Sequence, residues 1–301
     1  TKINVLNPIA TMLKKFFIVL LASLFAFNAN AQDLKNKATN KITSELNKSL
    51  TSSLGNIFPT AEVSLSSGKT QKVKGNILVV MPMSDIDDKK NVTFTQGSLY
   101  FSDNDQETLN LGIGQRRLLD NENLMLGANM FFDEEFTSRH RRASFGLEAI
   151  TSVGSLRANQ YYGLSGWKTV KGIREKALDG HDMEVGAPLP YLPWTKAYYR
   201  TFEWEGASGV GDLKGDEMSL EANLPFGLNV EVGKRSNDNS SKDREFVSLT
   251  WRCCYKSDQQ TFGISDKAYS LTSVADQRFQ KVRRQNLIVK QQDLALSIIG
   301  F

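Results

Sequence analysis

Few residue groups in this sequence have the types and the spacing that enzyme chemistry requires. His181 and Asp182 resemble a general base beside its orienting carboxylate. Because neighbouring residues of a strand point to opposite faces, these two side chains cannot readily form that hydrogen bond. Gly112 and Gly114 lack the third glycine and the helix start of a dinucleotide site. We therefore predict that the protein is not an enzyme and needs no cofactor.

The carboxylates and thiols of the chain are not spaced as metal ligands. Asp85, Asp87 and Asp88 lie close together but lack the spacing of an EF-hand loop, and we interpret them as a solvated turn. Cys253 and Cys254 are neighbours, so a disulfide between them would be strained, and two thiols alone make a poor metal site. We predict no metal site and interpret the cysteines as incidental residues at a strand end.

A basic run at 139–142 (RHRR) follows an acidic run at 133–135 (DEE). Pairing across the loop and contact with lipopolysaccharide phosphates would both suit the arginines. We interpret the run as solvated loop charge. The formal net charge of the whole chain is only +4, so no polyanionic partner such as nucleic acid is indicated.

The polar residues in the middle of the chain lie on segments with a period of two. In one of them, Leu124, Leu126, Ala128 and Met130 alternate with mixed, small or polar residues. This period indicates strands, because successive side chains of a strand point to opposite faces. We predict about twelve strands, at 61–67, 76–83, 92–102, 107–117, 123–132, 142–150, 155–165, 181–187, 196–205, 216–223, 227–235 and 245–252.

Two features favour a transmembrane β-barrel over a soluble sandwich. The second face of the strands carries charges that a dry core could not bury without partners, whereas a water-filled or plugged lumen accepts them. Tight turns also alternate with long polar loops, as in outer-membrane barrels. The tight turns are 151–154 and 224–226, and the long loops are 133–141, 166–180, 206–215 and 236–244. The predicted fold class is all-β, a closed antiparallel transmembrane barrel.

Alternate residues of these strands would face the barrel lumen. We expect the polar ones to hydrate the pore and to hold the segment at about 270–290 that follows the last strand. They are Asn110, Arg116, Asn129, Glu148, Arg157, Asn159, Glu184, Glu221 and Glu231.

After the last predicted strand the period of two is lost. Over 270–286 the apolar residues are compatible with one face of a helix, and the charges near its ends suit the helix dipole. We predict a helical linker inside the lumen, with Arg283 and Arg284 paired to lumen carboxylates. The linker residues singled out are Phe279, Val282, Arg283, Arg284 and Asn286.

The start of the chain has the organisation of a secretory signal over 13–31. Two lysines precede an apolar run at 16–27, and a small-x-small motif predicts cleavage between Ala31 and Gln32. The apolar run is shorter than the ~20 residues of a membrane helix. Residues 1–11, before Met12, are expected to be upstream sequence or a fragment artefact.

We predict four parts in the chain. Apolar residues four apart in 32–60 indicate an amphipathic helix, which could dock against the barrel mouth on the periplasmic side or pack on its own domain. The parts are 1–31, the upstream residues and signal peptide; 32–60, a periplasmic helical segment; 61–253, the outer-membrane barrel; and 254–301, the C-terminal linker threading the barrel.

An ordered series of sequence blocks resembles the translocator domain of inverse autotransporters, the intimin and invasin family. The blocks are LGIGQRR, LMLGANMFFDEEFTSRHRRASFGLEA, GLSGWK, GHDMEVGAPLPYLP and GLNVEVGKRSND, with SSLGNIFPTAEVSLS before them and FQKVRRQNLIVK after them. The resemblance covers about 50–290. It implies a twelve-stranded outer-membrane barrel whose linker passes back through the lumen, so that a C-terminal passenger, usually an adhesin, lies outside the cell. About ten residues follow the linker, so the passenger is expected to be missing or vestigial.

The preferred function is an outer-membrane anchor and translocator for type V secretion. The alternative is a porin-like channel with a C-terminal plug, and a third candidate is an outer-membrane hydrolase or soluble envelope β-protein. Expected partners are outer-membrane lipid and lipopolysaccharide, the barrel assembly machinery and periplasmic chaperones. Peptidoglycan or a surface receptor is a further candidate if a passenger exists. The expected location is the bacterial outer membrane, with the N-terminus periplasmic and the C-terminus at the surface.

Overall fold

A computed structural model describes most of the chain beyond residue 58. The described residues are 59–68, 71–102, 107–119, 121–238, 240–253, 263–293 and 297–299. The predicted signal, with its cleavage site between Ala31 and Gln32, lies outside these residues, as does the predicted helix at 32–60 apart from its last two residues.

Twelve strands form one closed antiparallel barrel, which confirms the predicted fold class. The sheet closes because β1 pairs with both β2 and β14. The four remaining strands, β8, β9, β15 and β16, form a separate small sheet. In chain order the strands are β1 (Thr60–Gly68), β2 (Gln71–Pro82), β3 (Asn91–Ser102), β4 (Thr108–Leu118), β5 (Met125–Glu135), β6 (Arg141–Ile150), β7 (Ser155–Gly163), β8 (Lys168–Val170), β9 (Ile173–Ala177), β10 (Gly180–Leu189), β11 (Leu192–Trp204), β12 (Leu213–Asn223), β13 (Leu228–Asn237), β14 (Ser240–Cys253), β15 (Lys290–Gln292) and β16 (Ser297–Ile299).

The barrel wall is apolar outside and polar inside. Met130 of β5 stands opposite Ile113 of β4 and Phe145 of β6, and all three are exposed on the outer surface. On the other face of β5, Asn129 and Asp133 are buried. An outward apolar face with a polar interior is the pattern of a transmembrane barrel. In the described ranges, no helix is long and apolar enough to cross a bilayer.

The connections lie at two ends, which we call proximal and distal. The proximal end holds the start of β1, the end of β14 and the turns at 83–90, 119–124, 151–154, 190–191 and 224–227. The distal end holds the connections at 136–140, 164–179 and 205–212, together with the strand ends at which β1 leads to β2, β3 to β4 and β13 to β14.

Two of the predicted long loops are wrong. The strands β5 and β6 continue to Glu135 and from Arg141, and β13 and β14 are separated by only two residues. Charged residues near these hairpins resembled loop residues in the sequence, but several face the polar lumen from within a strand. The longest distal connection, 164–179, contains β8 and β9.

The segment 274–290, called the linker below, runs through the lumen and is irregular between residues 280 and 289, with bends at Gln280, Arg284 and Leu287. Its only helical element is a 3₁₀ turn at Ala275–Phe279, so the helix predicted over 270–286 is wrong. The reason lies in the backbone partners: side chains of the barrel wall bond the linker carbonyls that a helix would have used internally. At the distal end, Lys290 of β15 pairs with Ala177 of β9.

Candidate functional site

The linker enters the lumen at the proximal end through contacts with two turns. Ser152 donates a hydrogen bond to the Ser270 carbonyl at 3.0 Å, and the Val274 amide donates to the Glu122 carbonyl at 2.8 Å. Val274 and Ala275 are then buried in a cluster with Leu118, Met125 and Ile150. These contacts fix where the chain enters the barrel.

Two further apolar clusters line the path of the linker. Phe279 and Val282 pack with side chains of β2, β3 and β5, namely Leu78, Val80, Val92, Phe94 and Phe131. Nearer the distal end, Val289 is buried with Tyr161, Leu178, Phe202, Trp204 and Leu213. Burial of these three linker side chains stabilises the linker in the lumen.

Gly112 and Gly114 make room for the first of these clusters. An added side chain at Gly112 would meet the Phe131 ring at 2.3 Å, and one at Gly114 would meet the Phe94 ring at 2.4 Å. Gly112 and Gly114, which resembled a fragment of a nucleotide motif, are therefore the positions in β4 against which the Phe131 and Phe94 rings lie.

Wall side chains hold the linker by its backbone in its proximal half. Arg116 donates from Nη1 to the carbonyls of Arg278 and Gln280, both at 2.7 Å. Thr60 donates to the Phe279 carbonyl at 2.8 Å. Donors on two well-separated strands thus satisfy the carbonyls of three linker residues.

The same kind of contact continues in the distal half. Arg142 donates to the carbonyls of Gln285 and Leu287, at 2.6 and 3.0 Å. Asn110 donates to the Asn286 carbonyl at 2.9 Å. Asn159 donates to the Arg283 carbonyl at 3.3 Å.

Arg283 is surrounded by three wall carboxylates, which we call the glutamate cage: Glu184, Glu221 and Glu231. Its Nε lies 2.9 Å from Glu184 Oε1, its Nη1 lies 3.1 Å from Glu221 Oε2, and its Nη2 lies 2.9 Å from Glu231 Oε1. The guanidinium carbon is also 3.8 Å from the centre of the Tyr198 ring. The planar fork of arginine suits this many-sided contact, whereas lysine would offer a single point charge.

Arg284 points to the opposite wall and makes a two-pronged contact with Asp133. The Nη1–Oδ1 distance is 2.9 Å and the Nη2–Oδ2 distance is 2.7 Å. Arg142 also donates to Asp133 Oδ2, from Nε at 2.9 Å. All three side chains are fully buried, so one carboxylate sits between two guanidinium groups away from solvent.

Two lysines of the linker have wall carboxylates of their own. Lys281 Nζ lies 2.8 Å from Glu62 Oε2. At the distal mouth, Lys290 Nζ lies 2.6 Å from Glu135 Oε1 and 2.9 Å from Glu175 Oε1. Each of these lysines, like each arginine at 283 and 284, thus meets an acidic group on the wall.

His140 lies beside the Lys290 ion pairs, in the connection between β5 and β6. Its Nε2 is 3.5 Å from Glu175 Oε1, and its Nδ1 is 2.7 Å from the Ser165 hydroxyl. Burial, together with the positive charges of Lys290 and Lys168, lowers the pKa of His140 to about 4. The imidazole is therefore neutral near pH 7.

All nine residues predicted to face the lumen are buried or partly buried on the inner side of the wall. Asn110, Arg116 and Asn159 contact the linker backbone, and the three glutamates of the cage contact Arg283. Glu148 and Arg157 stand behind them, since Glu148 accepts from Arg116 at 2.6 Å and Arg157 donates to Glu184 at 3.1 Å. Asn129 lies beside Gly146 of β6.

The five linker residues predicted from the sequence all lie inside the barrel. Phe279 and Val282 occupy the apolar cluster, and Arg283 and Arg284 bind carboxylates on opposite walls. Asn286 donates from its side chain to the Tyr100 hydroxyl at 2.6 Å.

Sequence reasoning missed Asp133 and Arg142 as lumen residues. The basic run was interpreted as solvated loop charge, but Arg142 is fully buried and binds Asp133, and His140 is buried too, so this interpretation is wrong for these two residues. Arg141, its neighbour, does face outward and pairs with Glu134 at 3.1 Å. Continuing the period of two from Asn129 would have placed Asp133 on the inner face.

The residues considered for other chemistry have structural partners. Asp182 faces the lumen and accepts hydrogen bonds from Asn159 and Tyr161, both at 2.7 Å, whereas His181 is exposed on the other face. Asp85 and Asp88 accept hydrogen bonds from backbone amides of their own turn. Within the described part of the chain, no cluster of His, Cys, Asp or Glu is arranged to hold a metal.

The linker fills the lumen unevenly. A cavity of about 570 Å³ lies beside it at the proximal end. Its lining includes Lys196, Glu221, Arg252, Lys281 and Arg283. The linker is thus packed against β2–β7 and borders open space toward β11–β14.

Curated proteins similar to this chain are much longer than it is. Intimin of Escherichia coli is 32% identical over 259 residues, which cover 80% of this chain and 26% of intimin. Invasin of Yersinia enterocolitica is 29% identical over 195 residues, 60% of this chain and 23% of invasin. The inverse autotransporter adhesin YeeJ of Escherichia coli is 24% identical over 283 residues, 89% of this chain and 12% of that protein. The chain therefore spans about a quarter or less of these relatives.

Solved structures show the same fold. One membrane protein, from a study of in-meso crystallization, superposes with a TM-score of 0.67 at 22% identity, over 78% of this chain and 99% of that one. An outer membrane channel of Pseudomonas putida gives a TM-score of 0.50 at 10% identity, over 64% of this chain and 94% of that one. Both similarities concern the barrel fold alone.

The family comparison covers most of the sequence. The model of the family described as "Inverse autotransporter, beta-domain" matches residues 16–286, from the apolar run near the start to Asn286 in the distal half of the linker. Together with the closed twelve-stranded barrel and its outward apolar face, this match places the protein in the bacterial outer membrane. The chain belongs to the inverse autotransporter β-domain family.

Proposed function

We propose that this barrel is an anchor and translocator that holds a C-terminal segment across the outer membrane, as in type V secretion. One observation carries the proposal: the linker enters at the proximal end, beside Glu122 and Ser152, and leaves at the distal end, where β15 pairs with β9. A chain that crosses the lumen in this direction joins the two sides of the membrane. The proposed role is mechanical and involves no catalytic step.

The proposed orientation places the proximal end in the periplasm and the distal end at the cell surface. Outer-membrane barrels have short periplasmic turns and longer outer loops, and the longest connection, 164–179, is distal. In this orientation Thr60 and Cys253 face the periplasm, and the chain beyond Lys290 lies outside.

The proposed partners follow from this role. Secretory export, periplasmic chaperones and the barrel assembly machinery would deliver the barrel, and lipid with lipopolysaccharide would surround its apolar face. An adhesive passenger is proposed by analogy with the relatives, one of which is itself described as an adhesin.

An epitope tag after Phe301 tests the direction of threading. Antibody should bind this tag on intact cells, and a matched tag in the proximal turn at 224–227 should bind antibody only after permeabilisation. If the C-terminal tag also requires permeabilisation while the barrel is folded, the translocator proposal is wrong.

A porin-like channel with the linker as a plug is the second candidate, and the cavity of about 570 Å³ beside the linker favours it. Planar-bilayer recordings separate the two roles. A steady open channel in the full chain would support a porin, whereas a closed full chain supports the translocator.

A further inference from the structure

The barrel holds the linker through two kinds of contact that differ in what they recognise. Arg116, Arg142 and Asn110 donate to backbone carbonyls. Every residue of an extended chain offers such a carbonyl, so these donors can hold a chain without determining which residue lies at which height. Register therefore depends on contacts between side chains.

Arg283 and Arg284 make the most restrictive of these side-chain contacts. They are neighbours in sequence, and their ion pairs show that their side chains reach opposite walls of the lumen. Arg283 lies in the glutamate cage, 2.9 Å from the nearest carboxylate oxygen, and Arg284 binds both oxygens of Asp133. Both sites are occupied together only when the arginine pair is at this height.

Neighbouring registers leave these carboxylates poorly paired. If the chain moved two residues toward the distal end, Lys281 would enter the glutamate cage and Val282 would face Asp133. If it moved two residues the other way, Gln285 and Asn286 would take those places. A shift of one residue would place Val282 at the cage with Arg283 at Asp133, or Arg284 at the cage with Gln285 at Asp133, so one of the two sites would lose its arginine. A buried carboxylate that loses its partner is strongly unfavourable, so the alternatives are separated from the observed register.

We propose that the Arg283–Arg284 pair is the register determinant of the linker, the feature that sets where a chain passing through this barrel comes to rest. The inference rests on the proposed function and identifies what the barrel recognises in the segment it holds. The recognised feature is two consecutive guanidinium side chains that reach opposite walls of the lumen.

Gln96 supplies a reporter of register, because its side-chain oxygen accepts from the Val282 amide at 2.8 Å. The full chain, with Cys253→Ser and Cys254→Ser, is given Gln96→Cys and one linker cysteine, either Gln280→Cys or Val282→Cys. A short thiol cross-linker should join position 96 to 282 at least about tenfold more efficiently than to 280. Cross-linking to 280 requires a shift of two residues that breaks both arginine pairs, and this costs more free energy than a tenfold difference in population represents.

The decisive variant moves the arginine pair two positions along the chain. Every version carries Arg283→Gln, Gln285→Arg and Asn286→Arg. Position 284 is Arg284→Asn when the reporter cysteine is elsewhere in the linker, and Arg284→Cys when position 284 is itself the reporter. The cross-link from position 96 should move from 282 to 284, because the chain slides back by two residues to return both arginines to their carboxylates. Arg278→Gln is the matched control, since Arg278 donates to the backbone carbonyls of Ala275 and Ile86, and it should leave the cross-link at 282.

A cross-link that stays at 282 after the transposition overturns the register proposal. If the transposed chain does not fold, Arg283→Lys replaces it: lysine keeps the charge but cannot bridge the cage, so the yield at 280 should rise relative to 282, and an unchanged ratio contradicts the proposal. If the parent protein forms no cross-link at 280 or 282, the linker is not in the lumen and the translocator role fails too. If the tag after Phe301 is exposed at the cell surface but the cross-link stays at 282 in the transposed variant, the register proposal alone is wrong.

Discussion

The two sides of the lumen differ in the number of carboxylates, and in the burial, that they offer to adjacent arginines of the linker. Toward β5 and β6, Arg284 and Arg142 share the single carboxylate of Asp133, and all three side chains are fully buried. Toward β10, β12 and β13, Arg283 has three glutamates and borders a cavity of about 570 Å³. We call these the packed side and the open side.

The difference shows how burial changes the pairing that a charged side chain requires. On the packed side, charges are removed from water, and each must be matched by an opposite charge or a well-placed carbonyl. Arg142 meets this requirement by donating to two linker carbonyls as well as to Asp133. On the open side, Arg283 and its three glutamates border the cavity, and their side chains are 5–17% exposed. The packed side should therefore depend on single residues, and the open side should tolerate their loss.

Removal of the linker should have the largest effect, because it joins the cavity of the open side to the vacated path of the linker. Deleting 268–301 should convert a closed barrel into one with steady conductance in planar bilayers. Arg278→Gln, which removes one linker cation and keeps the arginine pair, should remain closed. Equal conductance of the full and shortened chains would show that the linker does not block the lumen.

Asp133→Asn should give the largest effect of a single substitution. It leaves two buried guanidinium groups without a carboxylate, which should lower the free energy of unfolding by about 3–5 kcal/mol. The measurement is chemical unfolding in detergent micelles, followed by the heat-dependent gel mobility of the barrel. Glu134→Gln, one residue along on the outer surface, is the matched control and should cost no more than about 1 kcal/mol.

Acidification should destabilise the distal end of the packed side through His140. Its pKa of about 4 in the folded chain lies below the ~6.5 of an unfolded histidine. Between these values the unfolded chain binds a proton that the folded chain does not, so stability falls as the pH falls. From pH 7 to pH 5 the loss should be about 2 kcal/mol. His140→Gln should lose this part of the pH dependence, and an unchanged slope in that variant would exclude the histidine as its source.

Glu221→Gln should have the smallest effect, because two carboxylates of the glutamate cage remain around Arg283. We expect a smaller loss of the free energy of unfolding than for Asp133→Asn in the same assay, because Arg283 keeps Glu184 and Glu231. The triple change Glu184→Gln, Glu221→Gln and Glu231→Gln should reach the size of the Asp133→Asn effect. A single change as costly as Asp133→Asn would remove the distinction between the two sides.

The strands could be predicted from the sequence because their signal is local. Alternation at Leu126, Ala128 and Met130 reports which face each side chain takes, and a closed barrel follows from a polar second face. The same rule found six residues that contact the linker, namely Asn110, Arg116, Asn159, Glu184, Glu221 and Glu231. The pairing of Arg283 with glutamates could be anticipated from charge alone, although not which three would meet it.

The conformation of the linker could not be predicted in the same way. Spacing of Val274, Phe279 and Val282 suited a helix, yet only a short 3₁₀ turn forms, and these residues pack on the wall in two separate apolar clusters. What decides the outcome is distant in sequence: Arg116 and Arg142 offer hydrogen bonds to carbonyls more than a hundred residues away. The small sheet formed by β8, β9 and β15 depends on a similarly distant pairing.

The pairing of β15 with β9 has a mechanical consequence. The strands are antiparallel and lie at the distal mouth, where Lys290 is also held by Glu135 and Glu175. A pull on the chain outside the barrel would load this short sheet and its ion pairs before any tension reached Arg284. The distal mouth would thus bear a force applied at the cell surface first, and it would protect the contacts deeper in the lumen from that force.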